Sequence, residues 1–164
     1  MSGHVYLVGM PGSGKSTAGR ALAQMLGLPF VDLDDEIERA AGCSIPEIFQ
    51  EQGEPRFREL EREALERAAS GPHCVVACGG GVPLREDNRV LMRSTGTVVA
   101  LDVPVKRLWT RVAAGMPRPL VTGPVDVRRI DRERRAVYRD VAHHRVDGAG
   151  EPAEVAGRIA EALR

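Results

Sequence analysis

The stretch Gly9-Met10-Pro11-Gly12-Ser13-Gly14-Lys15-Ser16-Thr17 follows the apolar run Val5-Tyr6-Leu7-Val8 and leads into an amphipathic run. The order reads strand, tight loop, helix, which is the context a G-x-x-x-x-G-K-[ST] phosphate loop requires. Glycines let the backbone curl so that successive N–H groups point inward, and the following helix adds its positive N-terminal end. In such a loop Lys15 reaches the β- and γ-phosphates of a nucleoside triphosphate, and the Ser16 hydroxyl ligates Mg²⁺. The loop identifies a phosphate donor and leaves the acceptor open.

Strand and helix patterns alternate on either side of the loop. Strands are predicted at Val5–Val8, Pro29–Asp32, Val75–Cys78, Val98–Leu101 and, more weakly, Arg145–Asp147. Helical patterns lie near 15–26, 35–41, 45–52, 54–69, 85–93, 104–113, 126–141 and 152–163. Alternating βα units give a parallel sheet with helices on both faces, with sites outside the carboxyl ends of its strands. That rule selects Gly9–Ser16, Asp32–Asp34, Gly79–Gly81 and Asp102. At 164 residues the chain makes one domain. One stretch, 113–124, interrupts the alternation with two Gly and three Pro and reads as a lid or connector.

Composition narrows the partners. Lys+Arg and Asp+Glu are both 23, so no net field draws the chain to nucleic acid or to an anionic membrane. Only Lys15 and Lys106 are lysines, so local placement of arginine matters for gripping phosphates and carboxylates. The arginine-dense stretch 128–139 is interleaved with Asp131 and Glu133 and reads as a surface helix. Cys43, Cys74 and Cys78 lack metal-ligand spacing, and Cys74 and Cys78 flank a buried strand as structural thiols. With no signal peptide and no apolar run of spanning length, the expected compartment is the reduced cytoplasm.

Asp32 and Asp34 are expected to project to one side of the second strand's end. One carboxylate can hold the metal's water shell while the other accepts a hydrogen bond from an acceptor hydroxyl. The alternative is that Asp34 or Asp35 N-caps the next helix, which suits Asp35 better and Asp32 not at all. Asp102 ends an apolar run like a metal-binding strand, but Val103-Pro104 follows, so a cap for the next helix is preferred. Gly79-Gly80-Gly81 marks either positive φ or a close approach to backbone. Glu54 with Arg58, Arg62 with Glu66 and Glu63 with Arg67 are the expected i,i+4 pairs of a charged helix.

Taken together, Gly9–Thr17, Phe30–Asp34, Ser44-Ile45-Pro46-Glu47-Ile48-Phe49, Gly53–Glu61, Gly79–Gly81 and Arg118-Pro119-Leu120 resemble shikimate kinases, over nearly the whole chain and in the same order. The resemblance implies a P-loop kinase-like, three-layer αβα domain over 1–164. It carries a central five-stranded parallel sheet, a mobile lid at about 112–124 and acceptor-binding helices at about 34–61. It implies ATP-dependent phosphorylation of the 3-hydroxyl of shikimate, a step toward chorismate and the aromatic amino acids, with ATP and Mg²⁺ as cofactors, by a cytoplasmic monomer.

Carried over position by position, the resemblance makes Lys15, Asp34 and Arg118 the catalytic residues. Gly12, Ser13, Gly14, Lys15, Ser16, Thr17, Arg111, Arg118 and Pro152 bind the nucleotide, and Ser16 and Asp32 hold the metal. Asp34, Phe49, Phe57, Arg58, Glu61, Gly79, Gly80, Gly81 and Arg134 bind the acceptor. Ala136 stands where the family usually has proline two residues after the second arginine, and the Arg118–Arg134 segment is a little short. Arg135 is therefore the alternative to Arg134. A kinase acting on gluconate or a modified cyclitol is the runner-up, and a catalytically silent nucleotide-binding regulator is the reading from another class.

Overall fold

A computed structural model describes residues 3–115 and 119–164. Five strands, β1 (His4–Val8), β2 (Phe30–Asp32), β3 (Val75–Ala77), β4 (Gly96–Asp102) and β5 (His144–Asp147), form one sheet in the order β2-β3-β1-β4-β5. Every pairing is parallel, and β1 is central. A strand covered on both faces has no wet side, which is why Val5–Val8 reads as an unbroken apolar run.

Alternation along the strands sends side chains to two cores. Val5, Leu7, Val99, Leu101 and Val146 pack against α1 (Lys15–Leu26) and α7 (Pro152–Ala162). Tyr6, Val8, Val76, Val98 and Ala100 pack on the opposite face. That face is covered by α2 (Leu33–Ala41), α3 (Ile45–Ser70), α4 (Glu86–Thr95), α5 (Val105–Ala113) and α6 (Pro124–Val141). The three-layer αβα arrangement is the one expected from the alternation. Among the described residues, no helix is long and apolar enough to cross a membrane.

Three local features shape the site, and the second and third depart from the sequence reading. First, α3 is two helical segments that meet where expected, at Gly53, which takes the non-helical φ 80°, ψ 167°. That backbone region is nearly exclusive to glycine. A capping box between Ser44 and Glu47 opens the helix, and Pro46 sits in its first turn. Second, α2 begins at Leu33, two residues earlier than expected, so Asp32 is its N-cap. Third, α5 is entered through Pro104 with no side-chain cap, so Asp102 does not perform the capping role expected of it. Its carbonyl instead accepts from the Gly148 N–H, which ties the ends of β4 and β5 together.

Candidate active site

At the carboxyl ends of β1 and β2, the chain leaves the sheet and turns into a helix within a few residues. The β1 exit is built from glycines: Gly9, Gly12 and Gly14 have φ of 151°, 82° and 88°. Gly14 is the N-cap of α1, and a glycine has no side chain to occupy the first-turn N–H groups. No acidic residue lies in that turn either. The positive end of α1 therefore faces the loop's concave side, which suits an anion. Lys15 is 9% exposed and folds back over the loop, donating to the carbonyls of Gly9 at 2.8 Å and Met10 at 2.9 Å.

Arg111, from α5, donates to the Gly12 carbonyl at 3.3 Å. Its guanidinium lies beside the loop, 3.4 Å from where a Cβ on Gly14 would sit. Across from it, a capping box between Glu151 and Glu154 opens α7 and places Pro152 in the first turn. Gly12, Gly14, Lys15, Ser16, Thr17, Arg111 and Pro152 all line one cavity of about 420 Å³. Ser13, within the loop, is buried and does not line the cavity, and Arg118 lies outside the described residues.

Asp32 performs two functions. One carboxylate oxygen accepts from the Asp34 and Asp35 N–H groups, and the other accepts from the Ser16 hydroxyl at 2.5 Å. The cap that sequence reasoning gave to Asp35 or Asp34 thus belongs to Asp32, because the chain turns helical at once. Asp34 accordingly sits in the first turn of α2, not on the strand. It still lines the cavity, with Oδ1 3.0 Å from where a Cβ on Gly79 would sit. Ser16 and Asp32 offer a hydroxyl and a carboxylate within contact of each other. Mg²⁺ takes such hard oxygen donors, one or two from protein, and completes its shell with phosphate and water. The pair fits Mg²⁺.

A second cavity, of about 540 Å³, shares Ser16, Asp32, Asp34, Gly79 and Gly80 with the first. Phe49, Phe57, Arg58, Glu61, Gly81 and Arg134 also line it, so every expected acceptor residue meets there. The kink at Gly53 lets α3 present both of its halves: Phe49 comes from before it, and Phe57, Arg58 and Glu61 from after it. The two phenyl rings pack with centroids 4.7 Å apart.

Charged side chains from α2, α3 and α6 line this cavity. Arg58 donates to Glu61 at 2.6 Å and to Glu54 at 3.1 Å. Burial works against its charge, and the two carboxylates outweigh that effect and hold the guanidinium above its ordinary value. Glu61 is 1% exposed, and burial pushes its carboxyl up to about 7 although Arg58 pulls the other way. Of the other expected pairs, Arg62 meets Glu66, while Glu63 pairs with Arg56.

The triple glycine is explained by close approach. None of Gly79, Gly80 or Gly81 has positive φ. A Cβ on Gly79 would sit 2.8 Å from Glu61 and 3.0 Å from Asp34. One on Gly80 would meet Pro11 and Arg134, and one on Gly81 would overlap the Arg58 guanidinium. Backbone and four charged side chains converge only because no Cβ intervenes.

On α6, Arg134 is 8% exposed and turns inward, whereas Arg135 is bound to Asp131 by Nε and Nη2 on the side facing Asp102. The helix is therefore not a wholly surface one. Ala136 lies within unbroken helix, so the missing proline does not displace Arg134. Sequence reasoning missed Tyr138, whose hydroxyl donates to the Gly80 carbonyl at 2.6 Å. It also missed Gly148 and Gly150, which line the nucleotide-side cavity and are signalled by the Gly148-Ala149-Gly150 turn after β5.

The shikimate kinase family model matches residues 11–164. A shikimate kinase 2 of Dickeya chrysanthemi is 40% identical over the whole chain and 98% of its own length. A shikimate kinase of Rhodococcus erythropolis is 41% identical over the whole chain and 99% of its length. The structure of Acinetobacter baumannii shikimate kinase in complex with shikimate superposes with a TM-score of 0.95 at 36% identity, covering 99% of this chain and 93% of that one. The chain belongs to the shikimate kinase family.

Proposed function

We propose that this member of the shikimate kinase family transfers the γ-phosphoryl group of ATP to the 3-hydroxyl of shikimate, giving shikimate 3-phosphate and ADP on the route to aromatic amino acids. The observation that carries the assignment of site residues is the pair of cavities joined at Ser16, Asp32, Asp34, Gly79 and Gly80. One has the phosphate loop, and the other has two inward arginines. Arg58 and Arg134 match a planar carboxylate, which shikimate carries and an uncharged cyclitol lacks.

In this reading ATP lies along Gly12–Thr17, with Arg111 and Pro152 flanking the base. Lys15 leaves the loop carbonyls for the β- and γ-phosphates. Bound Mg²⁺, held through Ser16 and Asp32, would supply charge neutralisation at the phosphate oxygens. Asp34 accepts the proton of the 3-hydroxyl as that oxygen bonds to the γ-phosphorus. The bond from phosphorus to the β,γ-bridging oxygen breaks, and ADP leaves. The N–H groups of Gly80 and Gly81 hold the acceptor, and Phe49, Phe57 and Glu61 shape its pocket. Arg118 arrives on a lid at about 112–124, stabilises transition-state charge and helps exclude water. We also propose that a single-domain monomer in the cytoplasm suffices, because donor and acceptor cavities both lie within one chain.

A coupled ADP-release assay with shikimate, quinate and gluconate, with and without Mg²⁺, tests the reading. The expected result is Mg²⁺-dependent ADP release with shikimate alone. Absence of shikimate-dependent release above background overturns it.

A further inference from the structure

Tyr138 is 5% exposed, and sits one helical turn beyond Arg134 on α6. Its hydroxyl donates to the Gly80 carbonyl at 2.6 Å, across 58 residues of sequence. The Arg134 guanidinium packs against the same glycine, its Nη1 3.3 Å from where a Cβ on Gly80 would sit. Gly80 and Arg134 both line the acceptor cavity.

The carbonyl of Gly80 and the N–H of Gly81 belong to one planar peptide and point in opposite directions. Pinning the carbonyl therefore sets the plane that carries the Gly81 N–H. Glycine cannot set it unaided, because it carries no side chain and has the widest choice of φ and ψ. The other constraints on this turn are main-chain bonds from Val82 to Gly79 and from Leu84 to Gly81, which leave the Gly80–Gly81 plane to Tyr138 and the packed guanidinia.

We propose that Tyr138 is a positioning residue for the acceptor: its hydroxyl fixes the Gly80–Gly81 peptide, against which the Arg134 guanidinium packs, in the orientation that receives shikimate. Tyr138 does not line the nucleotide-side cavity, and although Gly80 lines both cavities, Gly81 lines only the acceptor one. The inference rests on the assignment of this cavity to shikimate. The lost hydroxyl would be felt chiefly in acceptor binding, through the Gly81 N–H whose plane it sets.

Tyr138→Phe keeps the buried ring and removes the hydroxyl alone. The expected result is a KM for shikimate raised about 3- to 12-fold, the upper range for one neutral hydrogen bond, with the KM for ATP within twofold of wild type. The double variant Tyr138→Phe with Arg134→Lys should lose less than the product of the two single effects, because Arg134 packs on the peptide that Tyr138 fixes. An unchanged shikimate KM, or equal rises in both KM values, overturns the inference, as does full additivity. If wild type itself fails to phosphorylate shikimate, the function assignment fails. If wild type is active and Tyr138→Phe matches it, only the positioning role fails.

Discussion

The two halves of the site are built by different physics. The donor half is local: nine consecutive residues, three glycines at positive φ and the start of one helix make most of its surface. The acceptor half is assembled from α2, both halves of α3, the turn after β3, and α6. Its glycines have ordinary φ and are required because guanidinia and carboxylates press against them. A local site is specified by conformation, and an assembled one by packing.

That contrast makes the halves separable by mutation, apart from the shared residues. Asp34, shared by both cavities, is expected to be the most sensitive position. Asp34→Asn should lower kcat by about 10²- to 10⁴-fold, the usual worth of a positioned base, with ATP binding largely intact by titration. ATP affinity lost with turnover retained would reverse the division of labour between Asp32 and Asp34. Arg58→Ala should raise the KM for shikimate about 10- to 150-fold, as for a charged bond removed from a buried site. An unchanged KM would take Arg58 out of the pocket.

Glycine substitutions put the contrast itself to the test. Gly12→Ala, at φ 82°, strains the loop and should raise the KM for ATP about tenfold with little effect on shikimate. Gly81→Ala should do the opposite, because its methyl displaces Arg58. If both variants weakened both substrates alike, the halves would not be independent.

The smallest effect concerns pH. Glu61 has a carboxyl pushed up to about 7 by burial, against about 4.5 when unfolded. The folded state thus holds a proton that the unfolded state releases between those values. This group's contribution is fully present below pH 4.5 and is lost as pH rises to 7. Glu61→Gln cannot ionise, so its Tm relative to wild type should improve by about 5–10 °C between pH 5 and pH 8. A constant difference across that range would mean Glu61 is ionised throughout.

The separability of the halves also explains what could be read from sequence. Motif spacing predicted α1 at its observed bounds, and all five strands to within a few residues. It missed the caps. Asp32 looked like strand and Asp35 like a cap, because nothing in Asp32-Leu33-Asp34-Asp35 marks where the extended backbone ends. The turn occurs where β2 runs out of a partner at Ala77. Arg134 and Arg135 are adjacent and chemically identical, and resemblance preferred the first without excluding the second. Their separation is a matter of angle: about 100° apart around α6, one faces Gly80 and the other Asp131.

For this protein, the linear order of residues was enough for the phosphate loop, the parallel sheet and the family, because those depend on local conformation and hydrophobic period. The choice between Arg134 and Arg135, the reason for Gly79–Gly81 and the role of Tyr138 depend on contacts between elements tens of residues apart. Such contacts exist only once both faces of the sheet are packed.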